Sequence, residues 1–313
     1  SLPKVYNPPE GYVATANEYN LPADFPYKDM SARSWAEPFR VQRIREVVAD
    51  AKGLTVQQSQ DLQFDNLSIP ARTLAGYAKS LNSADPAVGP ALSLLKDWDY
   101  RMATDSRAAT VCSFWLPEVV KRVTDLYVPA SGRAAFGELS TRKTLEKLAT
   151  PDAAFGTRPE QGRDALLLQA LADGLQKLSA KLGPDSTQWQ WGKLHHIQFE
   201  HSLASLLPPD TAKNWSTQRY PVGGDNDTVH RATFRKSDFR VTSGASYRQV
   251  IDVADWDRSV VQNVPGQSAD PRSPHYQDLI KGWATGEYFP MAFSRAKVDS
   301  QRADTLTLQP SGN

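Results

Sequence analysis

The sequence predicts an α+β protein in which a long helical region lies between two regions with strand signals. Residues 39–182 place apolar side chains at helical spacing, whereas short β-branched runs between Gly, Pro and Asp clusters follow from about residue 187. Residues 1–38 are rich in Pro, Tyr and Asn and contain one short alternating stretch, GYVATAN. With 313 residues, 40% of them hydrophobic, the chain is long enough to bury a large core.

The elements follow one another in a clear order. The alternation in GYVATAN predicts a strand that ends at Asn17. The run FRVQRIREVVADA predicts a helix with Val41, Ile44 and Val48 on one face, and Thr55 is a suitable N-cap for the next helix. Further helical patterns continue to a Gly-Pro stop after residue 182.

The last third predicts short strands joined by turns. The runs HRATFRK, YRQVIDVAD and RSVVQNV alternate or are β-branched. Within GGDNDTV, the residues Gly223, Gly224, Asp225 and Thr228 predict a tight turn in which side-chain oxygens accept from backbone N–H groups. We assign an architectural role to this turn.

Composition excludes several classes of partner. The formal net charge is +1, from 36 basic and 35 acidic residues, so no overall field favours nucleic acid. We interpret the basic residues between 231 and 248 as a solvated face rather than a nucleic-acid groove. No apolar run approaches the ~18 residues of a membrane span. The single cysteine, Cys112, lies in an apolar context and predicts a buried small side chain.

Familiar catalytic motifs do not account for the chain. None of the five histidines stands in an HExxH context, and His195 and His196 would point to opposite faces of a strand. Ser1 could act as an N-terminal nucleophile whose own α-amine is the base, or it could be only a chain boundary. Pro3 favours the boundary, because proline is poorly placed in the central strand that such a serine normally begins.

An ordered series of short motifs resembles the penicillin acylase family of N-terminal-nucleophile amidohydrolases. The resemblance runs from about Pro8 to Phe293. Its motifs, in chain order, are NPPEGYVATAN, WAEPFRVQRI, LLKDWDYRM, WGKLHHIQFEHSL, GGDNDTV, GASYRQVIDVAD, PGQSADPRSPHYQD and WATGEYFPMAF. The order of many motifs is more specific than any one of them.

The resemblance implies the C-terminal part of a β subunit and a place in an αββα sandwich. On that basis residues 1–38 would supply a core strand and active-site loop, and residues 39–186 a large helical insertion. Residues 187–313 would return strands to the sandwich and end in a helix and tail. The nucleophilic serine would lie upstream, so Ser1 would be a boundary. The implied partners are an α subunit and the upstream part of the β subunit, and the implied location is periplasmic or secreted.

Two residues match the catalytic positions of that family. Asn17 matches the oxyanion-hole asparagine, although an Asn at a strand end can also simply cap a turn. Arg40 matches the arginine that orients the nucleophile's amine, the asparagine and the substrate, with Arg43 and Arg45 as competing candidates. Glu18 stands where many relatives have a second Asn, and we expect strand alternation to turn its charge away from the oxyanion.

The resemblance also implies a metal ligand and an activity. Asp29 matches a structural calcium position of some relatives, but one carboxylate cannot complete the six to eight oxygen ligands of calcium. No organic or redox cofactor is implied. The activity implied is hydrolysis of a small-molecule acyl amide, such as a β-lactam antibiotic or an N-acyl homoserine lactone. The alternative is a non-catalytic binding or structural module that keeps the same scaffold.

Overall fold

The structure, a computed structural model, describes residues 3–27 and 34–310. Helices dominate the middle of the chain, and short strands follow. The helices are α1 (Phe39–Val48), α2 (Val56–Gln63), α3 (Ile69–Ala78), α4 (Val88–Lys96), α5 (Arg107–Tyr127), α6 (Arg133–Phe136), α7 (Thr141–Ala149), α8 (Pro159–Leu182), α9 (Trp191–Leu194), α10 (Pro209–Trp215), α11 (Ile280–Thr285) and α12 (Arg295–Gln301). The strands are β1 (His196–Ile197), β2 (Tyr220–Pro221), β3 (Ala232–Phe234), β4 (Val241–Gly244), β5 (Arg248–Val250), β6 (Val260–Gln262) and β7 (Phe289–Pro290).

The chain divides into two compact units. The first takes the described residues up to 52 together with 64–198 and 219–244, and it contains α1, α3–α9 and β1–β4. The second takes residues 53–63, 199–218 and 245–310, and it contains α2, α10–α12 and β5–β7. The predicted helical region therefore forms most of one unit.

Two long helices, α5 and α8, form the centre of the first unit. Gly174 on α8 faces the backbone of α5, where an added Cβ would lie 2.9 Å from the carbonyl oxygen of Phe114. This close approach brings the fully buried Trp115 against α8, and its indole Nε1 donates to the carbonyl of Leu167 at 3.0 Å. Ser106 caps the start of α5 by accepting from the N–H of Ala109. Cys112 of α5 is buried as predicted, and burial raises the pKa of its thiol.

The strands pair as three small antiparallel sheets in the described residues. Their orders are β1-β2, β3-β4 and β5-β6-β7. The α+β class and the strands predicted at HRATFRK, YRQVIDVAD and RSVVQNV are confirmed, although each strand is only three residues long. The αββα sandwich stays a prediction.

The buried side-chain amide of Gln262 connects several elements of the second unit by hydrogen bonds. Gln262 of β6 accepts from Nη1 of Arg248 at 2.6 Å, and its Nε2 donates to the carbonyls of Gly282 and Glu287. The guanidinium of Arg248 also lies over the ring of Trp283 at 4.5 Å. One side chain thus joins β5, β6 and the loop after α11. None of the described helices has both the length and the apolar composition needed to cross a bilayer.

Two local predictions have different outcomes. Thr55 caps α2 as expected, since its Oγ1 accepts from the N–H of Gln58 at 3.1 Å. The strand predicted at GYVATAN is wrong for the structure, because residues 12–17 have no strand assignment. A strand needs a neighbouring backbone to pair with, and in the described part of the chain no other backbone bonds to residues 12–16.

Candidate active site

Asn17 lies in a tight bend that holds it against the segment before α1. Its backbone is in the left-handed region, with φ of 66°, which asparagine tolerates better than most residues. The carbonyl of Asn17 accepts from the N–H of Ala36 at 2.8 Å. Two residues on, the ring of Tyr19 packs edge-on against Trp35, with centroids 5.3 Å apart. These contacts fix the bend next to the start of α1.

Arg40 in the first turn of α1 reaches the carboxamide of Asn17. Its Nη2 donates to Oδ1 of Asn17 at 3.0 Å. A guanidinium can only donate, so the carboxamide must turn its oxygen to Arg40 and its NH2 group away. The orientation of the amide is therefore determined by chemistry. The pair leaves the NH2 group as the donor that Asn17 can offer to a ligand.

The two competing arginines have other partners. Arg43 donates twice to Oδ2 of Asp65, at 2.9 and 2.6 Å, and also pairs with Glu46. Arg45 lies 3.9 Å from the carboxylate of Glu18. Among the three candidate arginines of α1, Arg40 is the one that the structure brings to Asn17.

The carboxylate of Glu18 folds back onto the preceding backbone, and its position does not follow from strand alternation because this segment is not a strand. The residue is buried, and its Oε2 accepts from the N–H of Ala16 at 2.6 Å. The bend folds the carboxylate back over its own backbone. The side chain of Asn17 therefore bonds to Arg40, whereas that of Glu18 lies near Arg45. These two arginines are five residues apart on α1, so they lie about 140° apart around the helix axis.

Charges of both signs surround Arg40. Burial lowers the pKa of Arg40 below its ordinary value, and the nearby positive charge of Arg231 adds to the effect. The carboxylates of Asp227 and Glu18 act in the opposite direction. Because a guanidinium stays protonated in proteins, Arg40 is a fixed cation beside the carboxamide.

The GGDNDTV turn has the predicted internal hydrogen bonds. Oδ1 of Asp225 accepts from the N–H groups of Asp227 and Thr228, at 2.7 and 2.9 Å. In return, Oγ1 of Thr228 accepts from the N–H of Asp225 at 2.9 Å. The turn therefore has the architectural role assigned from the sequence, and it also carries acidic groups that the sequence did not connect with the site.

Those acidic groups line a cavity of about 390 Å³ in the first unit. Its depth is mostly apolar, with Met102, Cys112, Leu116, Val120 and Phe234 among the lining residues. Its polar lining includes four carboxylates, on Glu37, Glu138, Asp225 and Asp227. Asp227 interacts electrostatically with Arg40, which places the cavity and the Asn17–Arg40 pair in one electrostatic neighbourhood.

The charge of Asp227, in this neighbourhood, changes near neutral pH. Burial, together with the charges of Asp225 and Glu37, raises the pKa of Asp227 from 3.8 to about 7. Burial also raises the pKa of Asp225. The local sequence contains the acidic pair but gives no signal that the turn packs near Glu37 and Arg40, which lie almost 190 residues earlier.

We expect replacement of Asp227 with Asn to make the protein more stable at high pH. Between about pH 4 and 7 the folded protein binds more protons at Asp227 than the unfolded chain does. The contribution of Asp227 to the free energy of unfolding therefore falls as the pH rises through the folded pKa of this carboxyl. Asp227→Asn removes that loss, and we expect its Tm to exceed the wild-type value by several degrees at pH 9 and by little at pH 5.

Asp238→Asn is the matched control. Arg235 holds the pKa of Asp238 below its usual range, so this carboxylate is ionised at both pH values and its removal should shift Tm equally at pH 5 and pH 9. Thermal unfolding followed by circular dichroism measures both variants. An identical pH profile for Asp227→Asn and wild type would contradict the raised pKa.

Candidate metal ligands do not cluster in the described residues. They contain no group of three or more His, Cys, Asp or Glu side chains that could hold a metal ion. The ring of His195 is buried between the carbonyls of Val222 and Ala232 and stacks on Trp191, which gives it a structural role. Asp29 lies outside the described residues, so its assignment to calcium stays a prediction.

Comparisons with known proteins identify the family of this chain. The penicillin amidase family matches residues 1–300. The acyl-homoserine lactone acylase QuiP of Pseudomonas fluorescens (strain Pf0-1) is 27% identical over 97% of this chain and 39% of its own length. Penicillin acylase 2 proenzyme of Pseudomonas sp. (strain SE83) is 27% identical over 99% of this chain and 40% of its own length.

A solved structure shows the same fold. A thermostable penicillin G acylase from Alcaligenes faecalis aligns with a TM-score of 0.59 over 99% of this chain and 59% of that chain, at 21% identity. The similar proteins are named as acylases, a class of hydrolase. The chain belongs to the penicillin amidase family. It spans about two fifths of the length of the curated relatives it matches.

Proposed function

We propose that this chain is the part of a penicillin-amidase-type acylase that supplies the oxyanion-hole carboxamide, Asn17, and the positioning residue Arg40. The observation that carries the proposal is the 3.0 Å bond from Arg40 Nη2 to Asn17 Oδ1, which turns the amide NH2 outward as a donor. A carboxamide suits this task because it donates without titrating. Preorganised donors of this kind are worth about 3–4 kcal/mol in other enzymes.

The nucleophile is a serine outside this chain. Its Oγ attacks the amide carbonyl carbon, and the hydroxyl proton passes through a base to the leaving amine as the C–N bond breaks. Water then adds to the acyl-enzyme ester, releases the carboxylic acid and restores the serine hydroxyl. The negative oxygen of each tetrahedral intermediate accepts from the NH2 group of Asn17. The remaining chain, as an α subunit and the upstream part of a β subunit, completes the site.

The substrates are N-acylated small molecules whose side-chain amide is cleaved. The names of the relatives point to two groups, the acyl-homoserine lactones and the penicillins. We assign the enzyme to the periplasm or the exterior on the same family basis, and we assign no organic cofactor to it. Structural calcium at Asp29 is part of the proposal.

The gene supplies the first test. If the acylase hypothesis is correct, an α subunit and a serine at a processing junction are encoded ahead of these residues. The complete enzyme should then hydrolyse acyl amides with C4 to C14 or aromatic acyl groups. The isolated 313-residue chain should show no hydrolysis. A complete gene that starts at these residues would favour the binding or structural module instead.

Arg40 can be tested as a positioning residue by a double-mutant cycle. In the complete enzyme we expect Arg40→Gln to lower kcat about ten- to a hundredfold with little change in KM, since a hydrogen bond to a charged group is worth about 1.5–3 kcal/mol. In an Asn17→Gly background the same change should cost little, because Arg40 would act through Asn17.

The control for this cycle is Arg72→Gln. Arg72 pairs with Glu46 at the surface, and exposed ion pairs contribute little. Steady-state kinetics on one acyl amide measure the four enzymes of the cycle and the Arg72→Gln control. Additive effects of Arg40→Gln and Asn17→Gly would show that Arg40 acts independently of Asn17.

A further inference from the structure

Glu18 directly follows Asn17 and takes no part in the function proposed above. It is buried, with 5% of its surface exposed, and Ala16 on the other side of Asn17 is also buried, with 8% exposed. Asn17 between them is exposed. The chain therefore buries both neighbours of Asn17 and leaves the carboxamide at the surface.

The carboxylate of Glu18 closes a ring around the backbone of Asn17. Its Oε2 accepts from the N–H of Ala16 at 2.6 Å, two residues back along the chain. The backbone part of this ring runs from the nitrogen of Ala16 to the Cα of Glu18, so both torsion angles of Asn17 lie inside it. Because the acceptor is charged, the bond is stronger than one between neutral groups. Glu18 thus restrains the left-handed conformation of Asn17.

This conformation needs a restraint. A left-handed backbone is disfavoured for residues other than glycine by roughly tenfold in population, although asparagine tolerates it better than most. The bond from Arg40 to Asn17 is exposed, so water competes for both groups and the bond by itself holds the bend weakly. The N–H of Ala36 holds the carbonyl of Asn17 on one side of the bend, and Glu18 holds the other side.

Stability of the fold does not explain an acid at this position. Oε1 of Glu18 is buried and has no hydrogen-bond partner among the described residues. Nη2 of Arg45 lies 3.9 Å from this oxygen, which is beyond hydrogen-bond distance. A buried anionic oxygen without a donor lowers stability. Residues that are costly to the fold are expected at functional sites.

We propose that Glu18 is a positioning residue of the acylase, which restrains the bend at Asn17 so that the carboxamide keeps its NH2 group directed to the oxyanion. Arg40 determines which atom of the carboxamide faces outward, and Glu18 holds the backbone that carries it. Glu18 acts through Asn17 and does not contact the substrate. The catalytic consequence rests on the function proposed above, whereas the restraint of the bend is a property of this chain.

Kinetics of the complete enzyme test the catalytic consequence. We expect Glu18→Ala to lower kcat about tenfold and to leave KM within about twofold, because Asn17 would leave the left-handed conformation for most of the time. Glu18→Gln keeps an acceptor for the N–H of Ala16 and should keep kcat within about threefold of wild type. In an Asn17→Gly background, Glu18→Ala should change kcat by less than about twofold.

Glu10→Ala is the matched control. Glu10 lines the same surface groove as Glu18, but it is exposed. Its replacement should leave kcat within about twofold of wild type. Equal losses of kcat in Glu18→Ala and Glu18→Gln, or additive effects of Glu18→Ala and Asn17→Gly, would overturn the positioning role.

Thermal unfolding of the isolated chain separates positioning from ordinary structural support. We expect Glu18→Ala to change Tm by less than about 3 °C, because the lost hydrogen bond is offset by removal of a buried charge. A Tm lower by about 10 °C would show that Glu18 supports the fold as a whole, and it would overturn the proposal.

NMR of the isolated chain tests the restraint without any activity. The side-chain NH2 signals of Asn17 are identified by their loss in Asn17→Gly, and we expect Glu18→Ala, but not Glu10→Ala, to shift or broaden them. Unchanged signals in Glu18→Ala would contradict the restraint. Changed signals, together with a complete wild-type enzyme that hydrolyses no acyl amide, would support the restraint and overturn the proposed function. The two proposals therefore fail in distinguishable ways.

Discussion

Asn17→Gly is expected to lower kcat of the complete acylase by about two to three orders of magnitude, the effect of losing one oxyanion-hole donor. Glycine accepts the φ of 66° without strain, so the variant removes the carboxamide and keeps the bend. Asn17→Asp should be at least as damaging, because it retains an acceptor for Arg40 but has no NH2 group and adds negative charge beside the oxyanion.

Asn7→Gly is the matched control for this prediction. Asn7 is also an exposed asparagine in the left-handed region, with φ of 46°, but it does not contact Arg40. Its replacement should leave kcat within about twofold of wild type. Single-turnover kinetics of acyl-enzyme formation would locate the loss in the chemical step. A normal rate for Asn17→Gly would remove this residue from the oxyanion hole.

Gly224→Ala should produce the largest loss of stability that we predict. The φ of Gly224 is 78°, and an added Cβ would lie 2.2 Å from the backbone oxygen of His230. The N–H of Gly224 donates to Met102, and its carbonyl accepts from Nε1 of the buried Trp191, so the glycine cannot move easily. We expect the free energy of unfolding to fall by about 1–2 kcal/mol because of the backbone conformation and by about 1–3 kcal/mol more because of the clash.

Gly53→Ala separates these two contributions. Its φ is 76°, but an added Cβ would meet no atom within 4 Å, so only the backbone cost should appear. Urea unfolding of the isolated chain measures the free energy of unfolding of both variants. Equal losses for Gly224→Ala and Gly53→Ala would show that the loop relaxes around the new methyl group. Because Gly224 precedes Asp225 and Asp227, its variant should also reduce the pH dependence that Asp227 causes.

Several elements could be predicted from local sequence because their causes are local. The cap at Thr55, the end of α8 at Gly183 and the bonds within the GGDNDTV turn depend on residues a few positions apart. Burial of Cys112 follows from the apolar face of its helix. The strand at GYVATAN could not form from local pattern alone, because pairing requires a second backbone.

By itself the sequence determined the helical middle region, the short strands after it and the family to which the chain belongs, since periodicity and ordered motifs are written along the chain. Only the tertiary structure decided which arginine of α1 meets Asn17, where the charge of Glu18 points, and that Asp227 lies near Arg40. Those outcomes depend on contacts between distant residues, and on burial that changes the cost of each charge, which no local pattern encodes.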